Sequence, residues 1–177
     1  MTRYIKFLII IFLGFLIFFI LLKGLENPNQ YLPNKKTSKI DLNLNFKSLF
    51  DKTDFTIGDL IKEDDYYLIN VWASWCLPCK KEHSYLMNMK NDNLNIIGVN
   101  YKDKESSAKK FIFELGNPYS KILLDINGTK SIELGAIGVP ETYLFKKTSK
   151  SIIKRYIGPL DQLKVDEIKN IIKNEQD

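Results

Sequence analysis

The stretch that decides the fold runs from residue 66 to residue 79 and reads YYLINVWASWCLPC. Its first part, Tyr66–Ala73, is a nearly continuous apolar run, which is typical of a central strand covered on both faces. The chain's two cysteines, Cys76 and Cys79, follow directly, at the start of a helical pattern. A C-x-x-C pair placed between a strand and a helix predicts a redox-active site.

The two cysteines occupy positions that suit different tasks. At positions i and i+3 of a helix start they face the same way, about 5–6 Å apart, which a disulfide can span. Cys76 lies at the helix N-terminus, where free amides and the macrodipole favour a thiolate, so we expect it to be the nucleophile. Cys79 lies one turn deeper and suits the resolving role. Pro78 fits the first helical turn because its missing N–H would have had no partner there.

Other uses of the pair are less well supported. A static disulfide is the structural alternative, but a four-residue loop restricts the unfolded chain little. Haem attachment needs C-x-x-C-H, and Lys80 stands where the histidine would be. Two cysteines and one histidine cannot build a structural zinc site, so we expect no metal and no cofactor beyond the cysteine pair. His83 is expected to be a solvated or hydrogen-bonding helix residue, not a ligand.

Glu82 is a second candidate for chemistry. It precedes Leu86 and Met89 at i+4 and i+7, so it shares their inward face. A carboxylate beneath a buried thiol has a raised pKa and could accept the Cys79 proton during resolution. A surface glutamate paired with a nearby lysine is the alternative. Asn70, within the apolar strand, is another buried polar candidate, but it cannot titrate.

Alternating periods on both sides of this stretch predict an α/β fold. Glu105–Leu115 has apolar residues at helical spacing, and a closing helix is expected within 160–172. Further strands are expected at 94–99 and 122–124, and 142–145 with 152–157 are expected to form a hairpin. Strands interleaved with helices and ending in a hairpin plus helix predict a mixed sheet flanked by helices.

The N-terminal segment predicts a membrane anchor. Phe7–Leu22 is unbroken and apolar, and Arg3 and Lys6 precede it, so the positive-inside rule places the N-terminus in the cytoplasm. No small-x-small cleavage site follows the run, which favours an uncleaved signal anchor over a cleaved signal peptide. We therefore divide the chain into a cytoplasmic tip and transmembrane helix at 1–23, a flexible tether at 24–40 and a domain at 41–177.

The net charge of +5 does not indicate nucleic-acid binding. Residues 1–40 hold six basic residues and one acid, so residues 41–177 hold 20 of each sign and are neutral. The basic excess marks the membrane topology and provides no basic binding face on the domain.

Several separated motifs resemble one family. They are NVWASWCLPC at 70–79, EH at 82–83, GVNYKD at 98–103, LGNPY at 115–119 and GAIGVPET at 135–142. Together they resemble the thioredoxin superfamily, and more closely its membrane-anchored periplasmic CcmG/DsbE branch. The stretch before the domain lacks the pattern common in relatives, so the first strand is poorly placed by sequence.

The resemblance implies a thioredoxin-like fold with Val139–Pro140 as a cis peptide facing the cysteines. For a general X-Pro bond a trans turn would be expected, and only the resemblance favours cis. It further implies that Glu141 lines a substrate groove and that Glu82 replaces the buried aspartate of ordinary thioredoxins. The groove expected around Cys76 comprises six residues: Trp75, Leu77, Pro78, Val139, Pro140 and Glu141.

The implied function is a thiol–disulfide oxidoreductase, tethered to the outer face of a bacterial inner membrane, that reduces disulfides during cytochrome c maturation. Its expected partners are apocytochrome c or a maturation thiol protein, and a membrane transporter of thiol reductant. The alternatives are a general periplasmic reductase of the ResA/TlpA type, a non-catalytic assembly module of the same fold, and an oxidant. Whether the protein reduces or oxidises its clients depends on the reduction potential of the cysteine pair. For this two-electron couple a difference of about 30 mV corresponds to about 1.4 kcal/mol.

Overall fold

A computed structural model describes residues 2–26, 40–62 and 64–174. The chain divides into two compact units, residues 1–36 and 37–177. Most of the predicted tether, residues 27–39, lies outside the described residues.

The first unit contains helix α1, Thr2–Glu26. Within it, Arg3–Lys23 is long and apolar enough to cross a membrane. Because a signal sequence has the same properties, the helix is a candidate anchor, and the cleaved alternative stays open.

The second unit is a seven-stranded mixed sheet with flanking helices. The strands are β1 (Asn45–Ser48), β2 (Asp54–Thr56), β3 (Tyr66–Trp72), β4 (Asn95–Tyr101), β5 (Lys121–Asp125), β6 (Glu141–Lys146) and β7 (Ser151–Ile157). The helices are α2 (Ile57–Leu60), α3 (Leu77–Asn91), α4 (Glu105–Leu115), α5 (Thr129–Glu133) and α6 (Gln162–Asn174). The order is β2-β1-β5-β4-β3-β6-β7, with β3, β4 and β5 parallel and the other pairings antiparallel. The predicted fold class is confirmed.

The sheet separates two cores because side chains alternate between its faces. On one face, which we call the α3 face, Leu68 and Trp72 of β3 pack with apolar residues of α3, α4 and α6. On the opposite face, Ile69 and Val71 pack with Phe46 of β1 and other residues outside those helices. β3 is buried along its whole length, as its apolar run predicts.

Strand β4 approaches the Trp72 and Tyr119 rings so closely that position 98 requires glycine. Trp72 stacks on Tyr119 with ring centroids 5.4 Å apart, and a Cβ on Gly98 would lie 2.8 Å from the Tyr119 ring. We expect Gly98→Ala to destabilise the protein by about 1–3 kcal/mol, because the packed rings would have to move apart. Gly138→Ala is the matched control, since its Cβ would have no neighbour within 4 Å. Urea unfolding followed by tryptophan fluorescence measures both, and equal midpoints would contradict the packing argument.

The sheet register determines where the site forms. Val71 near the end of β3 pairs with Glu141 at the start of β6. The residues that follow β3 therefore lie at the same edge of the sheet as the residues that precede β6. This arrangement brings the Cys76 loop and Pro140 to one edge.

Candidate active site

The cysteine pair lies at the N-terminus of α3. Cys76 is the N-cap residue, and its Sγ accepts the Cys79 N–H at 3.1 Å. The two residues form a disulfide with their Cα atoms 5.3 Å apart, within the predicted range. Pro78 lies in the first helical turn. Cys76 is only 4% exposed, so a client must approach closely to reach its sulfur.

The loop that carries Cys76 is fixed by the segment after β4. The buried Asp103 carboxylate accepts the Ser74 N–H at 2.6 Å and the Ser74 hydroxyl at 2.8 Å. It also accepts hydrogen bonds from the Asn100 amide and the Lys104 N–H. The Trp75 indole N–H donates to the Lys102 carbonyl at 3.0 Å. The buried Asp103 carboxylate thus fixes Ser74, two residues before Cys76.

Glu82 is fully buried within a chain of hydrogen bonds on the α3 face. Its Oε1 accepts from the Asn70 amide at 2.9 Å, and its Oε2 accepts the Leu160 N–H at 2.7 Å. The same amide nitrogen donates to the Thr142 hydroxyl, while Asn70 Oδ1 accepts from the Tyr119 hydroxyl at 2.9 Å. Tyr119 therefore orients the Asn70 amide so that its NH₂ group faces Glu82.

Burial dominates the electrostatics of this cluster. It raises the pKa of Glu82 to about 7, although the Leu160 N–H, the Asn70 amide and the Lys164 charge all oppose the shift. Burial, together with the Glu82 charge, raises the pKa of Tyr119 well above its usual value, so that hydroxyl stays protonated and donates. A carboxyl that titrates near neutrality suits proton transfer. Transfer of a proton from Cys79 to Glu82 stays a prediction.

The Val139–Pro140 peptide is cis, as the resemblance implies. The Pro140 carbonyl accepts the Gly158 N–H at 3.0 Å, which ties the start of β6 to the end of β7. Pro140 is buried and Val139 is partly exposed.

Glu141 does not present its carboxylate to solvent. Its side chain is fully buried, and its Oε1 pairs with Arg155 and accepts the Tyr143 hydroxyl at 2.7 Å. Its Oε2 accepts the Ile137 N–H at 3.1 Å. Burial, followed by the hydrogen bond to Glu141, raises the pKa of Tyr143 above its usual value. A role of Glu141 in lining the groove stays a prediction, because its carboxylate bonds to Arg155, Tyr143 and the Ile137 amide.

Exposed apolar side chains flank the buried disulfide. Trp75 is 58% exposed and Leu77 is 65% exposed, and Pro78 is also at the surface. Ile137, just before the cis-proline, is 57% exposed and was not singled out by sequence. These side chains form an exposed apolar surface around the helix start and the loop before the cis-proline.

Sequence reasoning also missed the contributions of Asp103, Tyr119 and Arg155. Asp103 and Tyr119 lie in the motifs NYKD and GNPY, so the signal was present, but their partners are distant in the chain. His83 is buried, and its Nε2 lies 3.0 Å from the Gly116 carbonyl, which makes it a hydrogen-bonding helix residue. Burial lowers its pKa.

Two further features lie outside this chemistry. The described residues contain no group of three or more histidine, cysteine or acidic side chains that could hold a metal ion. A cavity of about 420 Å³ lies near the start of β3 and the end of α3, lined in part by Tyr66, Met89 and Leu94. Because Cys76 lies at the other end of both elements, this cavity is separate from the redox site.

A thioredoxin-like sheet with a C-x-x-C disulfide at a helix start and a cis-proline at the same edge defines a thiol–disulfide oxidoreductase. Residues 36–172 match the Redoxin family, so the chain belongs to that family.

Named relatives agree with this class. The chain is 34% identical over 137 residues to thiol:disulfide interchange protein HelX of Rhodobacter capsulatus, covering 77% of each chain. It is 45% identical over 101 residues to thiol:disulfide interchange protein CycY of Rhizobium leguminosarum bv. viciae, covering 56% of this chain and 54% of that relative. The chain thus spans about half the length of CycY. A solved structure of a DsbE thiol:disulfide interchange protein from Chlorobium tepidum shares the fold, with TM-score 0.62, 20% identity and coverage of 77% and 96%.

Proposed function

We propose that this protein reduces disulfides of apocytochrome c, or of a maturation partner, at the outer face of a bacterial inner membrane. The observation that carries the proposal is the Cys76–Cys79 pair at the start of α3, beside a cis-proline loop. The resemblance to the CcmG/DsbE branch supports the choice of client. The neutral domain supports selection by short-range contacts in the groove, with no role for nucleic acid.

The proposed mechanism is two successive thiol–disulfide exchanges. The Cys76 thiolate attacks one sulfur of the client disulfide, forms a mixed disulfide and releases one client thiolate. Cys79 then loses its proton to the Glu82 carboxylate and attacks the Cys76 sulfur, which releases the second client thiolate. Two electrons pass to the client, and the enzyme pair becomes the disulfide seen here.

A membrane position supports the return to the reduced state. In our proposal α1 is an uncleaved anchor with a cytoplasmic N-terminus, the segment between α1 and Ile40 is a tether, and the domain that follows is periplasmic. A thiol-reductant transporter in the same membrane would reduce the pair, taking its electrons from the cytoplasm. Confining both proteins to one membrane raises their effective concentration.

Trapping the first intermediate tests the client. We expect Cys79→Ala to accumulate a mixed disulfide through Cys76, because no second thiol remains to resolve it. In competition, an oxidised peptide with a C-x-x-C-H motif should be captured about tenfold more than a disulfide peptide of unrelated sequence, a difference of about 1.4 kcal/mol. Intact-mass spectrometry measures both adducts, with the Cys76→Ala, Cys79→Ala variant as the control that captures neither.

The outcomes separate the rival functions. Equal capture of the two peptides would indicate a general reductase of the ResA/TlpA type. Failure to recover any cytochrome c maturation client from cells by affinity capture of Cys79→Ala would refute the pathway, even if the exchange chemistry held.

A further inference from the structure

The loop before the cis-proline is held by one ion pair. Arg155 of β7 donates from Nε to the Glu141 carboxylate and from Nη2 to the Gly135 carbonyl at 2.7 Å. Glu141 in turn accepts the Ile137 N–H at 3.1 Å and the Tyr143 hydroxyl. Together, Arg155 and Glu141 fix the loop backbone at two points, the Gly135 carbonyl and the Ile137 amide.

This ion pair has few alternative arrangements. Glu141 is fully buried, and the Arg155 side chain is only 20% exposed. A buried carboxylate left without its cation is costly, so the pair strongly favours one conformation. Arginine also suits the position because its fork can donate to two acceptors at once, which lysine cannot match in the same geometry.

The fixed loop presents side chain and backbone next to the redox site. The Ile137 side chain is 57% exposed although its amide is bound, and Val139 is partly exposed directly before Pro140. An extended client could pair with the Val139 backbone and place an apolar side chain against Ile137. Preorganising such a loop increases affinity because less freedom is lost on binding.

We propose that Arg155 is a positioning residue for client binding, which acts by holding residues 135–139 through Glu141 and Gly135 in the conformation that receives an extended polypeptide. This inference rests on the proposed disulfide-reductase function. The client segment it implies is extended and carries an apolar residue near the disulfide.

The sheet separates the Arg155–Glu141 ion pair from Glu82 and its hydrogen-bond partner Asn70, which lie on the α3 face. Glu141, Tyr143 and Arg155 lie on the face opposite α3: Tyr143 belongs to that core, and Arg155 pairs with it across β6 and β7. Thr142, the next residue after Glu141, points to the other face and bonds to Asn70. Loss of Arg155 should therefore weaken client binding more than it slows the exchange chemistry.

The test uses the full chain in detergent micelles and compares Arg155→Met, Arg155→Lys and Lys154→Gln. Lys154 is the matched control, because it is next in the same strand and forms its own ion pair with Glu167 at 2.9 Å. The substrates are an oxidised C-x-x-C-H peptide and a small aromatic disulfide that is too short to reach the loop. Dithiothreitol returns the Cys76–Cys79 pair to the dithiol after each turnover, and the rate without enzyme is subtracted. We expect Arg155→Met to raise the peptide KM about tenfold with kcat changed less than about threefold. Arg155→Lys should fall between it and the wild type, and Lys154→Gln should match the wild type.

Each outcome is decisive. If Arg155→Met does not fold by tryptophan fluorescence, Arg155→Lys and the Arg155→Met, Glu141→Gln double variant, which leaves no unpaired charge, replace it. Folded variants with the wild-type peptide KM would overturn the proposal, and so would equal losses with the peptide and the small disulfide. A wild-type protein that reduces neither substrate would refute the proposed function itself.

Discussion

Replacing Cys76 by serine is expected to lower disulfide-reductase activity by at least about a thousandfold, because the hydroxyl cannot attack a disulfide at neutral pH. In free energy this is a loss of about 4 kcal/mol of transition-state stabilisation. Cys79→Ser should instead keep the first attack, since Cys76 remains at the helix N-terminus, and stop at the mixed disulfide, since no second thiol remains to resolve it. The two variants remove the same disulfide, so a shared loss of stability cannot explain different kinetics.

A single-turnover assay distinguishes the two roles. Wild type, Cys76→Ser and Cys79→Ser are mixed with an oxidised peptide, and intact mass is followed with time. A one-to-one adduct should appear only with Cys79→Ser. An adduct of Cys76→Ser through Cys79 would reverse the assigned roles. Full complementation of a deletion strain by the Cys76→Ser, Cys79→Ser double variant would favour the non-catalytic assembly module.

The central part of the fold is predictable because its signals are local. The apolar run at 66–73 predicts β3, and the helical spacing at 105–115 coincides with α4. The predicted hairpin is also present as β6 and β7. Strands β1 and β2 have four and three residues, which is too short for a periodic signal. Pairing defines them instead: β1 pairs with β5, which is distant in the chain, and the edge strand β2 pairs with β1.

The site residues likewise fall into a group that local spacing predicts and a group that only the sheet pairing brings together. Cys76, Cys79 and Glu82 lie within seven consecutive residues at intervals of three, so helix geometry alone places successive members near each other. The contacts of Asp103, Tyr119 and Arg155 depend on sheet register, which the sequence does not specify. Glu141 illustrates the difference: the motif identifies it, but its partner Arg155 follows from the pairing of β6 with β7.

Glu82 is expected to make stability fall as the pH rises. Its pKa in the folded state is about 7, whereas an ordinary glutamate has a pKa of 4.5. Between these values the folded state holds a proton that the unfolded state has released, so stability declines from about pH 4.5 to about pH 7. The 2.5-unit difference corresponds to about 3 kcal/mol. Glu82→Gln removes this titration and should flatten the decline.

Urea unfolding of the oxidised full chain in nonionic detergent measures the effect. Both tryptophans, Trp72 and Trp75, lie in the second unit, so their fluorescence reports that unit alone. Glu133→Gln, an exposed change of the same chemistry on α5, is the matched control and should keep the wild-type slope. A wild-type slope in Glu82→Gln would show that the buried carboxyl does not titrate in this window.

The same substitution separates a structural from a chemical role of Glu82. As the base for Cys79, the ionised carboxylate should make resolution of the mixed disulfide rise with pH through about 7, and Glu82→Gln should slow it about a hundredfold. The first attack by Cys76 should change much less, because no proton passes to Glu82 in that step. If both steps slowed equally, Glu82 would act by holding Asn70 and Leu160 in place, and Cys79 would have to lose its proton to another acceptor.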